Sequence, residues 1–147
     1  MNSAFAGDSQ AAKTPVILLV EDESIVREVT REVLEHAGYQ VLESPGPDEA
    51  LRLAREHQGE IGLLLTDVVM PGMNGADLAQ RLQSRRPDLI TVFMSGYAED
   101  VVVRQMKQRA ALHIQKPFTV DVLLSRIAEA LGKHPPVEDA LLTGWPI

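Results

Sequence analysis

Cysteine is absent from this sequence of 147 residues, and long apolar runs and an excess of basic charge are absent as well. Without cysteine the chain can form neither disulfides nor thiolate metal sites, which is consistent with a reducing compartment. No apolar run approaches the ~20 residues that a membrane-spanning helix requires. The N-terminus has neither the basic start nor the apolar segment of a signal peptide. We therefore expect a cytoplasmic domain that does not insert into a membrane.

The charge balance of the chain is acidic, with 14 Lys and Arg side chains against 21 Asp and Glu side chains and a net charge of -7. Nucleic acids and anionic lipid surfaces are bound largely through Lys and Arg, so neither is expected as the main partner. A content of 45% hydrophobic and 24% charged residues suits one globular domain with an ordinary core.

Both ends of the chain lack the periodic patterns of helices and strands. Residues 1–14 are rich in Ala, Ser, Gly and Gln, and residues 133–147 begin with a segment that contains Pro135 and Pro136. We predict a flexible N-terminal tail or linker over 1–14, one domain over 15–132, and a C-terminal tail over 133–147.

Five short apolar runs within the domain predict β-strands. They are VILLV (16–20), YQVLES (39–44), IGLLLTDVV (61–69), ITVFMSG (90–96) and ALHIQ (111–115). The first, third and fourth runs are nearly continuous, as expected for parallel strands that are covered on both faces. A segment of helical character follows each run. This alternation predicts an α/β fold: a doubly wound five-stranded parallel sheet of order 2-1-3-4-5 with five helices, as in flavodoxin-like proteins.

The predicted helices carry recognisable start and stop signals. The first carries an apolar stripe of Val26, Val29, Val33 and Ala37 and ends at Gly38. The second opens with Pro47 near Asp48 and Glu49, the third and fourth fit 75–85 and 98–110, and the last is capped by Thr119 and ends at Gly132.

Polar side chains close four of the predicted strands. Strand 1 ends in Glu21 and Asp22, strand 3 in Asp67 and strand 4 in Ser95, and Lys116 follows strand 5. In open α/β sheets, ligands bind outside the carboxyl ends of the strands, where the strand order reverses. We therefore expect these five residues to converge on one edge of the sheet.

Three neighbouring carboxylates repel one another, so such a cluster needs raised pKa values or a cation. Oxygen ligands without His or Cys select a hard divalent ion, of which Mg²⁺ is the usual cellular choice. An ion held by few protein oxygens retains positions for a phosphoryl group, to which Lys116 could offer positive charge and Ser95 a hydroxyl. Asp67 is then the candidate nucleophile, and its product would be an aspartyl phosphate.

Four motifs in this order, VEDE, LLLTDVVMPGMNG, MSGYAED and QKPF, resemble the receiver domain of bacterial two-component response regulators over residues 15–132. The resemblance implies a phosphorelay domain that accepts a phosphoryl group from a phosphohistidine onto Asp67 with Mg²⁺ and then switches conformation. Such a domain promotes its own phosphorylation without being a turnover enzyme. The implied partner is a histidine kinase or a histidine phosphotransfer protein. The resemblance is also compatible with a homodimer, formed through the helix at 98–110, strand 5 and the last helix.

The resemblance also implies roles for individual residues. The metal set would be Glu21, Asp22, Asp67 and the backbone carbonyl of Val69, while Lys116 would contact the phosphoryl group through a chain bent by a cis Lys116-Pro117 bond.

The resemblance further makes Ser95 the hydroxyl that responds to phosphorylation. One departure concerns His113, which stands where the family usually has Tyr or Phe, so Ser95 and His113 together form the candidate switch. Two other residues, Val69 and Tyr97, flank the site and are candidates for limiting access of water.

Several alternatives remain open on the sequence alone. The motifs LTDVVMPGMNG and MSGYAED are particularly similar to receivers at the C-terminal ends of hybrid sensor histidine kinases. The chain could thus be the receiver portion of a hybrid kinase, or a stand-alone receiver, since the 15 residues after Gly132 are too few for a helix-turn-helix domain.

Functions of other classes are less well matched. A Mg²⁺-dependent aspartyl phosphohydrolase of the haloacid dehalogenase type has a second acid two residues after the nucleophile, where this chain has Val69. A flavodoxin-like cofactor binder would need a phosphate-cradling loop after strand 1, where this chain presents acids. A degenerate receiver that only binds partners is a further alternative.

Overall fold

The computed structural model describes residues 14–96 and 112–132. Outside these ranges lie the two predicted tails apart from Thr14, the helix predicted over 98–110, and Tyr97. Within them, no helix is long and apolar enough to cross a membrane.

Five strands and four helices alternate along the described part of the chain. In chain order they are β1 (Val16–Val20), α1 (Ser24–His36), β2 (Gln40–Ser44), α2 (Pro47–Glu56), β3 (Leu63–Asp67), α3 (Gly75–Arg85), β4 (Ile90–Ser95), β5 (Leu112–Gln115) and α4 (Val120–Ala130). All neighbouring strands are parallel and the sheet order is β2-β1-β3-β4-β5. The predicted α/β class and strand order are therefore confirmed.

The sheet separates two layers of apolar core. Every residue of β1 and β3 is buried, as the continuous apolar runs predict. On one face Leu18 packs with α2 and α3, while on the other Ile17 and Leu19 pack with α1 and α4. Each such aliphatic side chain contributes about 1.5–3 kcal/mol when it is fully buried. The central strands are therefore the most firmly held part of the fold, and their ends provide a rigid platform.

The apolar stripe predicted on α1 is buried only in part. The helix buries Thr30 and Leu34, whereas Val29 is 54% exposed and Ala37 is also exposed. Apolar residues lie on more than one side of this helix, since Ile25 is 74% exposed. Consecutive residues are ~100° apart on a helix. Packing through Leu34 therefore keeps Val33 against the core, with Val26 half-buried, and leaves Val29 and Ala37 on the solvent side.

The predicted helix ends are confirmed by their backbone geometry. Gly38 has φ of 102° directly after α1, a value that glycine adopts without steric cost, and it turns the chain into β2. Pro47 occupies the first turn of α2. The Thr119 hydroxyl accepts a hydrogen bond from the Val122 amide at 3.2 Å at the start of α4.

Candidate functional site

The five polar residues predicted to converge do lie at one edge of the sheet. Glu21 follows β1, and Asp67 and Ser95 end the adjacent strands β3 and β4; their exposed fractions are only 0%, 3% and 1%. The amide of Lys116 donates to the Ser95 carbonyl at 2.8 Å, which extends the pairing of β5 with β4 to the lysine. The Lys116-Pro117 peptide bond is cis, as predicted.

Lys116 joins two of the buried carboxylates. Its Nζ lies 2.6 Å from Asp67 Oδ1 and 2.7 Å from Glu21 Oε1, with Glu23 Oε1 further away at 4.0 Å. The Lys116 side chain keeps 21% of its surface exposed. Its ammonium can therefore reach both the buried acids and an incoming group at the surface.

Asp22 completes a group of three carboxylates. One oxygen each from Glu21, Asp22 and Asp67 lie within 4.8 Å of one another, and Asp22 is exposed where the other two are buried. The Asp22 amide also donates to Asp67 Oδ2 at 3.4 Å. Oxygen donors of this kind, open to solvent on one side, suit a hard divalent cation.

The pKa of Asp67 is strongly perturbed. Burial raises the pKa of its carboxyl to about 8, and the hydrogen bond to Glu21 adds to the rise, while Lys116 acts in the opposite direction. Burial by itself would lower the pKa of Lys116, but hydrogen bonds to Asp67 and Glu21 outweigh it and raise the pKa to about 12. The site thus combines a permanently charged lysine with a carboxyl that readily keeps its proton.

Glu21 is held by contacts that sequence reasoning missed. The Glu23 amide donates to Glu21 Oε2 at 3.0 Å, and Arg27 Nη1 donates to the Glu21 carbonyl at 2.8 Å. Both partners belong to the loop and first turn after β1. Their spacing of two and six residues from Glu21 was visible in the sequence, but the direction of the side chains was not.

Gly75 is a second residue whose role was missed. Its amide donates to the Val68 carbonyl at 2.7 Å, and a Cβ added to it would lie 2.2 Å from the Asp67 carbonyl oxygen. The start of α3 therefore packs directly against the backbone of Asp67, and only glycine permits this approach. The Asp67 carbonyl also accepts a hydrogen bond from Thr66 Oγ1 at 3.0 Å.

Two further predicted residues lie beside the cluster. The imidazole Nε2 of half-buried His113 is 2.5 Å from Ser95 Oγ, so the two candidate switch residues are hydrogen-bonded to each other. Val69, two residues beyond Asp67, has 52% of its surface exposed and leaves one side of the site bordered by an apolar side chain.

The family model for the response regulator receiver domain matches residues 17–128. The chain belongs to this receiver family. Receivers act as phosphoacceptors in two-component signalling and interact with histidine kinases or phosphotransfer proteins. The family resemblance inferred from the four motifs is therefore confirmed.

Curated relatives of this receiver include proteins of very different length. The chain is 39% identical over 119 residues to sensor kinase CckA of Brucella abortus (strain 2308). The matched segment covers 80% of this chain but only 13% of that kinase. It is 37% identical to response regulator protein FleR of Pseudomonas aeruginosa, with 84% of this chain and 26% of the relative covered. This receiver therefore spans about a quarter or less of these two relatives.

Solved receivers share the fold. The receiver domain of hybrid histidine kinase CckA is 32% identical with a TM-score of 0.66, covering 79% of this chain and 98% of the other. A CheY-like receiver from Methanospirillum hungatei JF-1 is 28% identical with a TM-score of 0.72, covering 81% and 94%.

Proposed function

We propose that the receiver over residues 15–132 accepts a phosphoryl group from a phosphohistidine onto Asp67 and changes conformation in response. The observation that carries this proposal is the position of Asp67: a buried carboxylate at the end of a central strand, 2.6 Å from the Lys116 ammonium and grouped with two further acids. The domain would promote its own phosphorylation and serve as a signalling module.

The chemical step needs little beyond a placed nucleophile and positive charge. An Asp67 oxygen attacks phosphorus in line with the leaving imidazole, so an O–P bond forms while the P–N bond breaks. The imidazole leaves with the electron pair of that bond and takes up a proton. Lys116, already within 2.7 Å of two carboxylates, pairs with the transferred phosphoryl oxygens, and Ser95 donates its hydroxyl to one of them.

The donor set fits Mg²⁺. Glu21, Asp22 and Asp67 supply three carboxylates, and the Val69 carbonyl is the proposed backbone ligand, with none of the soft ligands that favour other metals. A bound Mg²⁺ would favour the ionised form of the acids and neutralise charge on the phosphoryl group. Asp67 particularly needs this, since its raised pKa otherwise keeps it protonated near neutral pH.

An apolar groove beside the site suits the partner that brings the phosphohistidine. This α1 groove has a volume of about 430 Å³ and runs along Ile25, Val26 and Val29 to Pro117 and Phe118. Exposed apolar surface of this kind marks protein interfaces. Because Lys116 also lines the groove, a helical domain docked there would hold its histidine close to Asp67.

The relatives favour one kind of partner. The similarity to CckA, at 39% identity over 119 residues of that sensor kinase, supports a phosphorelay of the hybrid-kinase type. The kinase could be part of the same chain or a separate protein, and the same chemistry at Asp67 would serve either arrangement.

Intact-mass spectrometry after incubation with acetyl phosphate tests the proposal. Wild type with Mg²⁺ should gain one phosphoryl group, whereas wild type with EDTA and Asp67→Asn with Mg²⁺ should gain none. Asp77→Asn, at an exposed acid in the first turn of α3, is the matched control and should be modified like wild type. Undiminished modification of Asp67→Asn would overturn the assignment.

A further inference from the structure

A cleft between α2 and α3, separate from the α1 groove, is lined by arginines. It has a volume of about 330 Å³, and four of its lining residues are Arg55, Arg81, Arg85 and Arg86. None of the described side chains that line it is acidic. In a chain with 14 basic and 21 acidic side chains, this local reversal of charge needs an explanation.

Arg86 has a structural role at this cleft. Its guanidinium donates to the carbonyls of Ala54, His57 and Gly59 at 2.9, 3.0 and 3.0 Å, and so ties the end of α2 to the end of α3. These bonds hold its positive charge in the wall of the cleft.

The other three arginines lack such contacts. Within 14–96 and 112–132, the side chains of Arg55, Arg81 and Arg85 form neither a hydrogen bond nor an ion pair. Other helix arginines behave differently: Arg31 pairs with Glu35 and Arg52 with Glu56. Among the arginines that the structure describes, the unpaired ones all line this cleft.

Helix dipoles explain only part of this arrangement. Arg55 and Arg85 lie in the last turns of α2 and α3, where a cation is favoured by about 0.3–1 kcal/mol. Arg81 lies one turn earlier, beyond the reach of that effect. Like charges gathered without counter-charge repel one another, so an anion bound among them would relieve this cost.

We propose that this cleft binds a small ligand with at least two phosphoryl groups, either a nucleoside polyphosphate or inorganic polyphosphate. Guanidinium groups make paired hydrogen bonds to phosphate oxygens, and three free ones can engage adjacent phosphates. Leu51 and Leu82, which also line the cleft, offer apolar surface to the remainder of a nucleotide. The volume falls at the lower end of the ~300–1,000 Å³ of small-molecule sites.

The cleft is separate from the phosphoacceptor site. α2 and α3 end just before β3 and β4 begin, whereas Asp67 lies at the far end of β3. Five strand residues at ~3.3 Å each put roughly 16 Å between the two edges. Ligand binding at the cleft therefore does not depend on the carboxylate cluster, and Asp67→Asn should leave it unchanged.

NMR titration of the whole chain with GTP and with tripolyphosphate, at low salt and with EDTA, tests the proposal. Both probes should saturate and shift amides in segments 51–55 and 81–86. Arg81→Gln combined with Arg85→Gln should weaken both at least tenfold, while Arg126→Gln on α4 should bind like wild type. Tighter binding of GTP would identify a nucleotide source, and equal or tighter binding of tripolyphosphate a polyphosphate source; either supports the site.

Other outcomes overturn the proposal. These are the absence of saturation with both probes, wild-type affinity in the double variant, or tighter binding of a glutamate-rich peptide than of either phosphate. The location of the wild-type shifts provides a check that does not depend on the variants folding. Shifts centred on Asp22 and Asp67 would also contradict the cleft.

Discussion

At the scale of single residues, Gly75 shows how closely the start of α3 packs against the backbone of Asp67 at the end of β3. Gly75→Ala would place a Cβ 2.2 Å from the Asp67 carbonyl oxygen, so the backbone of one of them must shift. We expect a loss of about 1–3 kcal/mol in the free energy of unfolding, as for other overpacked sites, together with slower modification of Asp67 by acetyl phosphate. Chemical denaturation and mass spectrometry measure the two effects.

Gly62→Ala is the matched control for this prediction. The nearest atom to a Cβ at Gly62 is 3.7 Å away, an ordinary van der Waals separation, and we expect little change in either measurement. Equal stability and equal phosphorylation in the two variants would show that the α3 start does not constrain Asp67.

His113 is a second residue with a specific expectation. Its imidazole bonds the Ser95 hydroxyl at 2.5 Å, and in the proposed mechanism Ser95 would have to leave this bond to donate to a phosphoryl oxygen. His113→Phe removes the bond and should favour the phosphorylated conformation by about 1 kcal/mol, or roughly fivefold in apparent affinity for beryllofluoride. Titration of beryllofluoride with Mg²⁺, followed by NMR, measures this.

Comparison with Ser95→Ala distinguishes the proposed switch from a simple packing role. If the bond competes with phosphoryl binding, the gain from His113→Phe requires the Ser95 hydroxyl and should vanish in the double variant. A gain that persists without Ser95, or no gain at all, would mean that His113 is only a strand residue.

At the scale of elements, the apolar side chains of α1 fall into two groups, one packed against the sheet and one exposed to solvent. Leu34 anchors the helix to the sheet, and Ile25 and Val29 remain exposed at 74% and 54% along the α1 groove. We expect Ile25→Ser with Val29→Ser to reduce phosphotransfer from a cognate autophosphorylated histidine kinase at least tenfold. Modification by acetyl phosphate should be unchanged, since this donor needs no docking surface. Radiolabel transfer from the kinases of the source organism provides the measurement.

Val122→Ser is the control for this surface. Val122 on α4 is also apolar and 40% exposed, but it does not line the α1 groove. Its substitution should leave transfer from the kinase at the wild-type rate. If both variants lose transfer equally, the α1 groove is not the docking site.

At the scale of the whole molecule, the perturbed pKa of Asp67 links stability to pH. Its pKa is raised from 3.8 to about 8 by burial, so the metal-free fold retains a proton that the unfolded chain releases. The corresponding stabilisation is fully present below about pH 4 and is lost as pH rises to about 8, by up to about 1.4 kcal/mol per unit. Asp67→Asn cannot titrate there, so its advantage over wild type in unfolding free energy should grow with pH.

Urea unfolding in EDTA from pH 5 to pH 8.5 tests this expectation. Millimolar Mg²⁺ should restore stability to wild type at the upper end by binding the ionised acids, and should have little effect on Asp67→Asn. Parallel pH profiles of wild type and variant would mean that Asp67 titrates near its ordinary value.

The sequence by itself determined the order of strands and helices and the types of polar residues that meet at one edge of the sheet. Continuous apolar runs fold as buried parallel strands because both faces are covered, and their alternation with helices leaves few topologies. Glu21, Asp67 and Ser95 could be assigned to one edge because parallel strands present their carboxyl ends together. Start and stop signals such as Thr119 and Gly38 act within a few residues and are therefore visible locally.

The tertiary structure decided what depends on neighbours distant in the chain. α1 has apolar residues on two sides, and only packing against the sheet determined that Leu34 rather than Val29 faces inward. The close packing of Gly75 against the backbone of Asp67, the hydrogen bond of His113 to Ser95, and the arginine cleft each join separate segments or elements. Local patterns carry no information on such distances, because they arise only when whole elements pack together.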